Sequence, residues 1–179
     1  PQYHADILVR ADVNRHSVVQ RATIHCQPEG SAVASVLVRL TPAPAGEVTW
    51  RLAGEVPREL PATLEDRPAV EARHEDFFRI LLPRPQTAAF DIVGEWSQAL
   101  PAESSLCLAT LPEATRQQGL LEVRSPTSRV AMHTTDLQPL PFAAPDTLAA
   151  PGKISATDST VENPLRGRFR YEAGGAGEA

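Results

Sequence analysis

Lysine is almost missing from this chain: Lys153 is the single lysine among 17 basic residues, and the others are all arginine. With alanine abundant throughout, that bias reads as a GC-rich coding preference and not as function. Basic residues are also outnumbered by 22 acidic ones, and the formal net charge of −5 argues against a general nucleic-acid binder, which carries a basic face to offset phosphate. Cysteine is nearly absent as well. Cys26 and Cys107 are too few for a disulfide scaffold, and no CxxC pair or histidine cluster accompanies them to make a zinc site. One bridge is open to them if their strands face each other. We expect two buried free thiols instead, because an unpaired cysteine behaves as a small apolar residue.

Long apolar runs are lacking. The richest stretch, Ala32 to Leu40, is interrupted by Ser35 and Arg39 and falls far short of the roughly 20 residues that a membrane-spanning helix needs. The chain opens at Pro1, without an initiating Met and without a charged leader ahead of an apolar stretch. That opening reads as a piece of a longer protein.

What is present is alternation. Short runs place apolar residues at every second position, with Pro or Gly between runs, which is the pattern of half-buried β-strands. From Ala88 to Trp96, an extended chain puts Ala88, Phe90, Ile92 and Trp96 on one side and Asp91, Val93 and Glu95 on the other. Asp6–Val13 and Val18–Cys26 alternate in the same way around a turn at Asn14-Arg15-His16, and predict an antiparallel pair. Ala32–Leu40 is apolar on both faces, as a central sandwich strand would be. Val48, Trp50 and Leu52 follow the breakers Pro42, Pro44 and Gly46, with Trp50 as a core anchor.

From Leu60 to Asp76 two readings stay open. Val70, His74, Phe77 and Phe78 have helical spacing after Asp66 and Pro68, whereas Val70, Ala72 and His74 alternate as a strand would. Phe77–Leu82 reads as a buried strand ended by Pro83 and Pro85. Leu106–Leu111, Leu120–Val123 and Val130–His133 complete the set, and Pro112–Gly119 is either one helical turn or a loop. The whole predicts an all-β fold: an antiparallel β-sandwich, immunoglobulin-like or larger, with at most one or two short helical turns.

The predicted organisation is a sandwich domain over 1–140, a Pro/Ala/Ser-rich linker over 141–165, and a terminal strand with a flexible tail over 166–179. In that late strand Arg166, Arg168 and Arg170 share one face, and Gly167, Phe169 and Tyr171 the other. It either docks back onto the main sheet or opens a following module.

No motif of chemistry stands out. His4, His16, His25, His74 and His133 form no HxH or HExxH pair, and His25 with His133 reads as sheet-face imidazoles before it reads as a metal site. Glu95 beside Trp96 invites a glycosidase reading. Alternation turns Glu95 to solvent when Trp96 points inward, and no catalytic role is expected of it there. His74-Glu75-Asp76 reads as a charged turn, and a Ser105/His133/Asp136 triad is a combination that any β-rich chain offers. The arginines at 166, 168 and 170 are suited to gripping a phosphate or an acidic partner, but the reading we adopt is a charged edge that deters strand pairing.

Cys26, Trp50 and Cys107 stand in the order of an immunoglobulin domain, yet Trp50 lies too far past the first Cys, and Ser105 occupies the position of the corner tyrosine. A second likeness rests on Trp50-Arg51-Leu52, Ile80-Leu81-Leu82-Pro83, Gly94-Glu95-Trp96, Leu111-Pro112 and Gly119-Leu120-Leu121. On these residues the chain resembles the β-sandwich modules of large exported bacterial proteins of unassigned function. The resemblance implies an extracytoplasmic setting, periplasmic or cell-surface, and a structural or adhesive role, with Phe169-Arg170-Tyr171-Glu172 opening the next module. It carries over no active residue.

The expected function is therefore that of a non-catalytic structural or protein-binding module, with neighbouring domains or another protein as partner. No catalytic, cofactor or metal residue is assigned, and neither nucleic acid nor a small molecule is expected to bind. The alternative is a carbohydrate-binding accessory module of a secreted enzyme, which needs an exposed aromatic platform. Aromatics make up only 5% of the chain, and Trp50 and Trp96 both alternate inward.

Overall fold

The computed structural model describes residues 2–54, 56–65, 75–99, 105–126, 137–141 and 163–171. Among these residues there are strands and no helix, and the strands form two sheets packed face to face as an all-β sandwich. The first pair follows from the alternation. In β1 (Tyr3–Val13) every odd-numbered residue is buried, and β2 (Ser17–Pro28) runs antiparallel to it with Ile7 opposite Ile24. The Asn14 N–H donates to the Ser17 carbonyl at 2.9 Å, closing the turn.

The remaining strands are β3 (Val33–Thr41), β4 (Thr49–Leu52), β5 (Arg58–Glu59), β6 (Ala62–Leu64), β7 (Asp76–Gln86), β8 (Phe90–Ala99), β9 (Leu108–Thr110), β10 (Arg116–Arg124), β11 (Gln138–Pro139) and β12 (Leu165–Tyr171). The large sheet has the order β11-β12-β10-β1-β2-β8-β4-β5, and the small one β6-β7-β3-β9. Pairing is antiparallel except between β1 and β10, which run parallel with Ile7 opposite Gly119. Ile7, Val9, Ile24 and Ile92 of the large sheet meet Val36, Val38, Leu40 and Ile80 of the small one, and all of them are fully buried. The Trp50 and Phe78 rings, 5.9 Å apart between centroids, join the sheets near one margin.

Two glycines make room for aromatic rings. Trp50 is the cross-strand partner of Gly94, and Tyr171 that of Gly119, and in each case the ring occupies the volume a Cβ would fill.

Several expectations are refined by pairing partners that sequence does not display. Pro83 and Pro85 do not end the strand at Leu82: β7 continues to Gln86, because the register with β3 shifts between Val33 and Ser35, and a bulge accommodates residues that lack an N–H. The Pro112–Gly119 stretch is a turn only at its start, where the Ala114 N–H donates to the Leu111 carbonyl. From Arg116 onward it is β10. Ala88 lies ahead of β8, exposed, while Phe90, Ile92 and Trp96 point inward as the alternation requires. The Val130–His133 strand, Val70–His74 and the central part of the predicted linker lie outside the described residues.

Of the two placements open to the late strand, the structure takes the first. β12 pairs antiparallel with β10 and lies between β10 and β11. The arginine stripe is therefore not a sheet edge, and the edge-guarding role read from the sequence is replaced by one inside the sheet.

Both cysteines are free and buried, Cys26 on the inner face of β2 and Cys107 just ahead of β9. Gln20 touches Cys107, whereas Cys26 lies six residues further along β2, roughly 20 Å away at strand rise. That separation rules out a bridge.

Candidate functional site

Outward positions on the large sheet are fixed by the same alternation that builds the core, and the register then lines them up across strands. One row reads Arg168, Glu122, Arg10, Arg21, Glu95 and Thr49 across β12, β10, β1, β2, β8 and β4. Opposite charges sit side by side along most of it. Glu122 is approached by Arg168 Nε at 3.6 Å, Arg10 Nε at 3.7 Å and Arg124 Nη2 at 3.5 Å. At the other end Glu95 accepts from Arg21 Nε at 2.7 Å and pairs with Arg51 Nη2 at 2.9 Å.

The two carboxylates sit in different media. The Glu122 and Arg168 side chains are 11% and 9% exposed, while Arg21 is 53% exposed. Coulomb attraction is screened at the wetter end and much less so at the drier one. Beside the charged row runs a mostly apolar one, Leu120, Leu8, Thr23 and Val93, in which Leu120, Thr23 and Val93 are buried although they lie outside the inter-sheet core. The open part of this face lies toward β2, β8 and β4, where Val19 is 42% exposed beside Arg21.

The residues singled out from sequence are distributed as follows. Glu95 does face outward, and its partners Arg21 and Arg51 make it an ion-pair residue. Trp96 is 3% exposed, with its indole N–H directed at Gln20 Oε1 at 3.3 Å. His25 lies on the outer face, opposite Asp6 and Asp91 in register, with its Nδ1 at 2.7 Å from the Asp91 carboxylate. His4 pairs with Glu29 at 3.0 Å. His74, His133 and Asp136 lie outside the described residues, and Ser105 is exposed. Among the described residues, no group of three or more His, Cys, Asp or Glu side chains is placed to hold a metal ion.

Sequence reasoning missed Glu122, Arg10 and Arg124. Each is marked as wet-face by its phase against apolar neighbours, but their convergence depends on the parallel β1 and β10 register, which joins segments more than a hundred residues apart.

No family model matches this chain, and no curated protein matches it. Among the described residues, no helix is long and apolar enough to cross a membrane.

Proposed function

We propose that this chain is a non-catalytic structural or protein-binding β-sandwich module of a larger extracytoplasmic bacterial protein. The observation that carries the reading is the open end of the outer face of the large sheet, where Arg21, Glu95 and Arg51 hold charges of both signs across β2, β8 and β4. Such a surface selects a partner by charge pattern and gains apolar area from Val19, 42% exposed on the same face of β2. The extracytoplasmic setting is supported by the resemblance carried by Trp50-Arg51-Leu52, Gly94-Glu95-Trp96 and the related segments.

The carbohydrate-binding alternative draws less support. Tyr3, Trp50, Phe90, Trp96, Phe169 and Tyr171 are all buried, and Phe77 and Phe78 are half-buried, so the described aromatics offer sugars no open platform.

The test is titration of this chain with neighbouring segments of its parent protein, followed by amide chemical shifts. Shifts confined to the outer face of the large sheet, weakened by salt and lost in an Arg21→Glu, Arg51→Glu double variant, are expected. Absence of any response, or tryptophan emission that moves on adding oligosaccharides, overturns the proposal.

A further inference from the structure

Each sheet of a sandwich has two edges, and an edge strand offers its unpaired N–H and C=O groups to any extended chain unless something blocks it. Among the described residues the two sheets have four edges, and three of them are blocked. β5 carries Arg58 and Glu59, β11 carries Pro139, and β9 is capped by side chains of the large sheet: Gln20 on Cys107, Tyr171 on the Ala109 carbonyl, and Gln117 on Leu111. The fourth edge, β6, reads Ala62-Thr63-Leu64, with no charge and no proline, and all three residues are exposed. Leu64 is 53% exposed.

The hydrogen bonds to β7 show which groups of β6 are engaged. The Glu65 N–H donates to the Phe77 carbonyl at 2.8 Å, and the Pro61 carbonyl accepts from the Leu81 N–H at 3.0 Å. Odd-numbered residues thus turn their backbone groups toward β7, and alternation turns those of Ala62 and Leu64 away from it. The open edge therefore presents two donors and two acceptors, placed symmetrically about Thr63.

We infer that β6 is a self-pairing edge whose occupant is β6 of a second copy of this chain. An antiparallel pair centred on Thr63 sets Ala62 opposite Leu64 of the copy, and Leu64 opposite its Ala62. Each couple exchanges two hydrogen bonds, so every outward group on both edges is satisfied. Large faces small in both apolar couples, and Thr63 meets the Thr63 of the copy at the central position, where strands bring side chains closest. Glu65 falls opposite Pro61 of the copy, and its carboxylate is already held by Arg79 at 2.8 Å. No like charges meet within the paired segment. The relation is two-fold and isologous, and it closes after two copies. It draws on the small sheet alone, so its failure leaves the reading of the charged face intact.

Sedimentation equilibrium of this chain from micromolar to millimolar concentration is the first measurement, with a reversible monomer–dimer equilibrium expected. Leu64→Pro deletes an N–H that points away from β7. It is expected to weaken association at least about tenfold, from lost backbone hydrogen bonds, while the thermal transition of the monomer stays in place. Thr63→Cys is expected to form a disulfide-linked dimer on mild oxidation, far faster than Thr49→Cys on the large sheet. A chain that stays monomeric at millimolar concentration overturns the inference. So does dimerisation undiminished by Leu64→Pro, or cross-linking of Thr63→Cys no faster than that of Thr49→Cys. Association lost in Arg51→Glu but kept in Leu64→Pro also overturns it, by moving the contact to the charged face.

Discussion

Gln20 and Cys107, 87 residues apart in sequence, are joined as residues of adjacent strands would be: the Cys107 N–H donates to Gln20 Oε1 at 3.0 Å, and Gln20 Nε2 donates to the Cys107 carbonyl at 3.0 Å. Gln117 repeats the arrangement on Leu111, at 2.7 and 3.2 Å. A side-chain amide has the donor and acceptor of a peptide group, so two glutamines from the large sheet stand in for a missing strand at the two ends of β9. Gln20 is fully buried, and its oxygen also accepts from Trp96.

Replacing Gln20 by Ala strands the Cys107 N–H and C=O and the Trp96 N–H in a dry core. The expected loss is about 3 kcal/mol, since each unsatisfied buried group costs on the order of 1–3 kcal/mol. Urea denaturation measures it, and a loss below about 1 kcal/mol would show that the clamp contributes little.

Gly94→Ala and Gly119→Ala place a methyl group where the Trp50 and Tyr171 rings already lie. Overpacking of this kind costs on the order of 1–3 kcal/mol. Trp50 reports directly on the first variant through a change in its fluorescence, and thermal unfolding reports on both.

Glu122 and Glu95 carry similar pairings in different surroundings, which separates burial from charge. Glu122→Ala leaves Arg10, Arg124 and Arg168 around an emptied, largely dry position and is expected to cost about 3 kcal/mol. Glu95→Ala, beside half-exposed Arg51 and exposed Arg21, is expected to cost under about 1 kcal/mol and to be masked by salt. Equal losses in the two variants would contradict this assignment of media.

Alkaline pH should destabilise the fold. Burial pushes the Cys107 thiol up to about 11 from 9.0, and the Cys26 thiol and the Tyr3 and Tyr171 hydroxyls are also raised, chiefly by burial. Above pH 9.0 the unfolded chain sheds the Cys107 proton while the folded chain keeps it until about 11. Stability is then undiminished below the unfolded value and falls as pH rises through that window. Denaturant midpoints measured across it should decline steadily, and the decline should lessen in Cys107→Ala.

The same burial makes both thiols inert in the native state. Iodoacetamide is expected to spare Cys26 and Cys107 in the folded chain and to modify both after unfolding without reductant. Mass spectrometry counts the adducts, and unmodified cysteines in the unfolded chain would mean a bridge.

The inward residues of β1, β2 and β8 were legible because alternation is a local property of two opposed faces. Glu95 and Trp96 were sorted correctly by that rule alone. The short strands β5, β6 and β11 were not legible, since so few positions hold no period and their pairing depends on neighbours supplied by the fold. Arg168 was misjudged for a related reason: its phase marks the outer face, and its low exposure there depends on neighbours such as Glu122 that only the fold brings alongside it. The Glu122 cluster shares this origin.

By itself, then, the sequence determined which side of each long strand meets oil and which meets water, because side-chain direction along an extended chain reverses at every residue. Only the tertiary structure decided which strands are neighbours, and with them the row of charges, the open edge at β6, and the burial of a polar residue as deep as Gln20. Register joins residues far apart in the chain, and nothing local to Gln20 announces that its hydrogen-bonding partners lie ahead of a strand 87 residues away.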